Sequence, residues 1–246
     1  MRPGTVGICA SISHKYNVDT IPHVLCGGFT KEETEYLLVD CHYLGIDNVM
    51  ALRGDARKEE KYFVPTKGGH NYSNELVTQI ADKNNGKFLH EVIEKGNESN
   101  FCSGVAGYPE KHLEAPSMDA DIRRLKDKVD AGADYVVTQM FFDNKKYFAY
   151  VDKAREAGIE VPIIPGIKPI AVKRHLQLLP QVFRLDIPDE LVNAVEQCKN
   201  NAEVREVGIA FAVQQSKELM EYGVPVLHYY SMVKSDYNKK IAKEVF

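Results

Sequence analysis

In a parallel α/β protein the chemistry gathers at the C-terminal ends of strands, and this 246-residue sequence places polar and aromatic groups at almost every such end. Arg53-Gly54-Asp55 sets a fixed cation, a flexible joint and an anion in succession. That set can hold a phosphate or the edge of a polar heterocycle; the plainer alternative is a salt bridge closing a turn. Tyr108-Pro109-Glu110-Lys111-His112 offers a ring surface and an imidazole to a flat cofactor, or a loop packed on itself. Gln139 lies within an apolar run, where a buried amide requires a partner, either a ligand or neighbouring backbone. Asp121, Arg124 and Lys128 recur at helical spacing, suited to ribose and pyrophosphate but equally to a solvated face. His23, inside another apolar run, reads as a satisfied core histidine.

Other chemistries are excluded by what is missing. The eight histidines show neither H-E-x-x-H nor H-x-H spacing, so no metal site is expected. No P-loop, G-x-S-x-G or G-x-G-x-x-G occurs, which removes Rossmann binding and α/β-hydrolase chemistry. Five scattered cysteines without a C-x-x-C pair read as free thiols rather than a disulfide framework. A net charge of -4 gives no basic field for nucleic acid or an anionic membrane. No apolar run approaches the length of a bilayer span and no secretory leader is seen, so the expected location is cytoplasmic.

Six short apolar runs read as strands, at 21–26, 48–53, 101–107, 135–142, 161–167 and 224–230. Helical patterns separate them. Thr30-Lys-Glu-Glu33 is a capping box that opens an amphipathic helix ending at Gly45. Further helices are expected at 119–131, 144–157 and 203–222, each followed by glycine, and one more within 1–17. The connection 55–71 is long and polar, as active-site loops of barrels often are. Segment 84–100 looks like a surface elaboration. No linker composition divides the chain, so residues 1–246 are expected to form a single domain.

From Val49-Met-Ala-Leu-Arg-Gly-Asp55 onward the sequence resembles the methylenetetrahydrofolate reductase family. Tyr108-Pro-Glu-x-His112, Lys126-x-Lys128-Val-Asp-Ala-Gly-Ala133, Thr138-Gln139-x-Phe-Phe-Asp143 and Ile164-Pro-Gly-Ile167 agree in order and spacing, and the likeness spans about 1–246. The resemblance implies a (β/α)8 TIM barrel flavoprotein in which NAD(P)H reduces FAD. The flavin then reduces 5,10-methylenetetrahydrofolate to the 5-methyl form used in methionine biosynthesis. It also implies FAD contacts from His23, Arg53, Gly54, Asp55, Tyr72, Ser73, Tyr108, His112, Ala115, Asp121 and Lys128. Asp55 would act near both flavin and pterin, Gln139 would contact folate, and a homo-oligomer is expected of the complete enzyme. His175 stands where many members have glutamine, and Lys234 where an arginine often meets the folate tail.

The family's first strand carries a glutamate that serves as general acid toward the folate. No residue of this sequence aligns with it. The expectation is a barrel lacking its first two strands and first helix, represented from an internal Met1. The competing expectation is a non-catalytic fragment that binds flavin or a partner chain.

Overall fold

The computed structural model describes residues 3–56, 59–60, 62–90, 97–231 and 235–246. Its elements run α1 (Thr5–Tyr16), β1 (His23–Leu25), α2 (Lys31–Tyr43), β2 (Asn48–Leu52), α3 (Ser73–Asn84), β3 (Cys102–Gly107), α4 (Met118–Asp130), β4 (Tyr135–Met140), α5 (Asn144–Glu156), β5 (Ile163–Ile167), α6 (His175–Phe183), α7 (Asp189–Gln197), α8 (Asn201–Glu221), β6 (His228–Tyr229) and α9 (Asp236–Val245). The six strands form one sheet in sequence order. The registered pairs β1·β2, β2·β3 and β5·β6 are parallel. Parallel neighbours joined through helices are the repeating unit of the (β/α)8 class, which is the fold class of this chain.

All six expected strands are present but shorter, because the flanking residues leave the ladder. Phe141 and Phe142, expected within the fourth strand, are buried beyond its end. Asp143 then caps α5, its carboxylate accepting the Lys145 N–H at 2.9 Å. The five expected helices also form. Four others, α3, α6, α7 and α9, lie in stretches left unassigned above. For α3 the signal was available: Leu76, Val77 and Ile80 are buried at helical spacing.

The chain divides into two compact units. The first comprises Met1–Ala106 and Arg124–Val136. Its core includes Val24, Leu38, Val49, Leu76, Ile80 and Val105. The capping box of α2 is complete: Thr30 Oγ1 accepts the Glu33 N–H at 3.1 Å, and Glu33 accepts the Thr30 N–H at 2.8 Å. Gly104 provides a close approach, since a Cβ there would sit 2.3 Å from the Tyr135 ring. That ring therefore lies across β3, and its hydroxyl donates to the Val49 carbonyl at 3.4 Å.

The second unit comprises Gly107–Arg123 and Val137–Phe246. Met140, Phe142, Ile170, Leu179, Leu191, Val195 and Val204 belong to one apolar cluster in it. Strands β4, β5 and β6 are tied through Thr138, whose hydroxyl accepts the Gly166 N–H at 2.9 Å and whose carbonyl accepts the Tyr230 hydroxyl at 2.9 Å. Gln215 of α8 donates to the Phe141 carbonyl at 3.0 Å, which fixes the end of β4.

Candidate active site

In the first unit, β2 ends at Leu52 and delivers Arg53, Gly54 and Asp55. The Arg53 carbonyl accepts the Gly27 N–H at 3.2 Å, which extends the pairing of β1 with β2 past both strand ends. The Arg53 guanidinium lies 5.2 Å from the centre of the Phe63 ring, a cation–π arrangement that orients the cation. Gly54 has φ +91°, a conformation glycine adopts without strain. Asp55 is exposed and Arg53 half-buried.

Lys128 of α4 donates to the Ala106 carbonyl at 2.7 Å, so its ammonium is held at the end of β3. Tyr72 precedes α3 and is exposed, and Ser73 opens that helix. His23 begins β1 on its exposed side, which corrects the core-histidine reading: the buried side chain of this strand is Val24.

In the second unit the Tyr108–His112 loop is built as a unit. The two rings meet edge to face with centroids 4.7 Å apart. Asp121, buried in the first turn of α4, accepts the His112 N–H at 2.8 Å. His112 Nδ1 accepts the Glu114 N–H at 3.1 Å, and this leaves the ring proton on Nε2. Ala115 is buried, and its N–H donates to the His112 carbonyl at 3.0 Å. Asp121 is thus a loop anchor and not part of a solvated helix face, while Arg124 is exposed.

Gln139 Oε1 accepts the adjacent Met140 N–H at 3.0 Å, and its amide nitrogen has no partner among the described residues. His175 is half-buried at the start of α6, and its Nδ1 accepts the Ala171 N–H at 3.2 Å. Burial and the neighbouring Lys168 charge both lower its pKa below the usual imidazole value. Lys234 lies outside the described residues.

Three residues of this region were not singled out from the sequence for a role. Glu110 forms ion pairs through Lys146 with Asp186 and accepts the Asp186 N–H at 3.0 Å. It ties the loop after β3 to α5 and to the segment between α6 and α7. Burial raises its pKa, against the opposing pull of Lys146. Tyr150, 2% exposed, meets the Tyr108 backbone with its hydroxyl. Lys168 directly follows β5 and is 6% exposed. The residues around Glu110 and Lys168 gave no periodic signal that separates a buried charge from a surface one.

Among the described residues no group of histidine, cysteine or carboxylate side chains can hold a metal ion, and no helix is long and apolar enough to cross a membrane.

The profile of the methylenetetrahydrofolate reductase family matches residues 1–245. The chain belongs to the methylenetetrahydrofolate reductase family. It is 35% identical over 229 residues to methylenetetrahydrofolate reductase 1 of Schizosaccharomyces pombe, covering 93% of this chain and 36% of that protein. It is 31% identical over 238 residues to 5,10-methylenetetrahydrofolate reductase of Pectobacterium carotovorum, covering 96% of this chain and 72% of that protein. This family member thus spans little more than a third of the fission-yeast protein. A solved structure described as an uncharacterised Clostridium thermocellum protein that binds two copies of 5-methyl-5,6,7,8-tetrahydrofolic acid shares the fold, with a TM-score of 0.57 at 18% identity. The alignment covers 95% of this chain and 75% of that one.

Proposed function

We propose that this chain carries the flavin- and folate-binding part of a methylenetetrahydrofolate reductase, which reduces 5,10-methylenetetrahydrofolate to 5-methyltetrahydrofolate at the expense of NAD(P)H in the cytoplasm. The observation that carries this reading is the family match along residues 1–245.

The donor chemistry of the described residues fits FAD. In the first unit Arg53 and Lys128 are cations with oriented head groups, suited to the pyrophosphate. In the second, Tyr108 and His112 offer ring surface and an Nε2–H donor beside the flat ring system, and Ala115 lines the same loop. Asp121 fixes that loop and keeps a second carboxylate oxygen for a ribose hydroxyl. His23, Gly54, Tyr72 and Ser73 complete the set that the resemblance implies. Bound FAD supplies the relay of a hydride from the nicotinamide to the folate methylene carbon.

For the folate, the amide nitrogen of Gln139 is a donor awaiting an acceptor, as the edge of a pterin presents. Asp55, exposed after the glycine joint, is the carboxylate that the resemblance assigns to flavin and pterin. His175 and Lys234 are assigned to the remainder of the folate.

The test is the purified protein. It should carry FAD absorbance that NADH bleaches anaerobically, and it should form 5-methyltetrahydrofolate. An Asp55→Asn change should slow folate reduction at least tenfold with flavin content retained. A protein that binds no flavin and turns over no folate overturns the reading.

A further inference from the structure

In the first unit, α2, α3 and the segment that follows α3 enclose a cavity of about 260 Å3. Its outer wall is held by groups already engaged with one another. Lys87 pairs with Asp82 at 3.1 Å, Glu35 accepts the Leu89 N–H at 2.8 Å, and the buried Lys83 ammonium lies 3.6 Å from the centre of the Phe88 ring. Phe88 and Leu89 give the cavity an apolar side. Its volume falls short of the roughly 300–1,000 Å3 of sites for drug-sized ligands, so an occupant is small. No residue lining it belongs to the set assigned above to flavin and folate.

His70 and Glu75 both line this cavity, and His70 is 2% exposed. Gln79 donates through its amide nitrogen to the Lys31 carbonyl at 2.9 Å, so its Oε1 receives the His70 Nε2–H at 2.6 Å. The ring proton therefore sits on Nε2, and Nδ1 keeps its lone pair. Burial lowers the pKa of the ring, which is neutral at pH 7. Nδ1 is closed off from solvent and has no hydrogen-bond partner, a rare condition for a buried acceptor. The group facing it, Glu75 Oε2 at 3.9 Å, is a second acceptor. That oxygen takes the Asn71 N–H at 2.8 Å, and among the described residues no lysine or arginine pairs with Glu75. A lone pair and a carboxylate oxygen so close call for one nitrogen that carries at least two hydrogens. A hydroxyl has one to give, whereas an ammonium has three and answers the Glu75 charge.

We propose that this cavity is a separate small-molecule site that takes a primary ammonium on a short apolar body, the ammonium donating to His70 Nδ1 and Glu75 and the body packing on Phe88 and Leu89. Glu75, whose side chain is 35% exposed against 3% for His70, is the movable side of the gap and swings aside to admit the nitrogen. The site does not depend on the reductase reading.

The experiment is calorimetry on the purified protein with three probes that share a benzyl group: benzylamine, benzyl alcohol, which offers one hydrogen and no charge, and benzyltrimethylammonium, which offers charge and no N–H. The wild type should bind benzylamine at least tenfold more tightly than either of the others, and the His70 Nδ1 resonance in nitrogen NMR should shift on titration. Glu75→Gln should lose that preference, because its amide can itself donate to Nδ1, and it should melt no lower than the wild type. Thr78→Met narrows the cavity from an exposed position on α3 while keeping His70 and Glu75, and it should weaken benzylamine severalfold. Equal binding of the three probes overturns the proposal, as does the lack of saturable benzylamine binding at millimolar concentration or undiminished binding in either variant. If Glu75→Gln does not fold, Thr78→Met decides together with NMR: a wild-type Nδ1 shift that this variant reduces supports the site, and an Nδ1 resonance that benzylamine leaves in place overturns it.

Discussion

The Asp121 carboxylate accepts the backbone N–H of His112 at 2.8 Å, so the first turn of α4 holds the loop that follows β3. A carboxylate near a helix N-terminus is favoured by the helix dipole. At 8% exposure it is also too buried for water to replace it readily. Asp121→Ala should leave the His112 N–H without its acceptor and cost about 1–3 kcal/mol of stability. The same change should release the Tyr108–His112 loop and lower the flavin that survives gel filtration. Asp121→Asn keeps an acceptor oxygen and should restore most of the stability. Urea unfolding and the flavin-to-protein absorbance ratio check both; an alanine variant with wild-type values would show that the loop stands without this bond.

Tyr135 fills the space that Gly104 leaves open. With a Cβ only 2.3 Å from the ring atoms, Gly104→Ala forces either the ring or the strand to move, at a cost of about 1–3 kcal/mol. Adding Tyr135→Leu should recover part of that loss, since a smaller side chain vacates the contact. The measurement is the urea midpoint of the single and double variants. If the double variant is no more stable than Gly104→Ala alone, the contact is not the source of the cost.

The sequence was most informative where local rules and tertiary demands coincide. Thr30 and Glu33 announced the start of α2, because a capping box depends only on residues three apart. Parallel strands buried on both faces, such as Val49–Ala51 within β2, showed as short apolar runs. The Arg53–Asp55 and Tyr108–His112 motifs stood out in the sequence because their residue types suit the chemistry proposed for them. Asp121 looked like one member of a charged helix face, since the His112 N–H that it holds is supplied by a loop whose course the sequence does not state. His23 misled for the opposite reason: it sits in an apolar run, but strand alternation sends Val24 inward and leaves His23 exposed. Lys168 and Glu110 were invisible as special, because burial of a charged side chain is decided by distant packing.

The thiols should fall into two reactivity classes. Cys26, Cys41 and Cys198 are buried, while Cys9 and Cys102 are partly exposed. Burial, the largest cause, pushes the Cys26 and Cys41 thiols up to about 12, and so suppresses their reactive thiolate at neutral pH. A disulfide reagent at pH 8 should therefore label Cys9 and Cys102 first and reach the other three only with denaturant. Peptide mapping after partial labelling identifies the modified sites, and early modification of Cys41 would contradict its placement in the core.

His70 should make the fold acid-sensitive. It is buried, with Nε2 2.6 Å from Gln79 Oε1, and Gln79 in turn donates to the Lys31 carbonyl at 2.9 Å. Its Nδ1 has no hydrogen-bond partner, and Glu75 stands 3.9 Å away. Burial is the largest influence and lowers the pKa below the ordinary 6.5, although Gln79 and Glu75 pull the other way. The unfolded chain therefore takes up a proton at a pH where the folded chain still refuses it. The stability that the neutral ring contributes is complete above about pH 6.5 and is lost as the pH falls through the lower folded-state value. His175 is lowered as well and adds to the same slope. His70→Asn removes the titrating group and keeps a donor for Gln79, so its urea midpoint should fall less between pH 7.5 and 5.5 than that of the wild type. An identical fall in both proteins would place the acid sensitivity outside the His70–Gln79 contact.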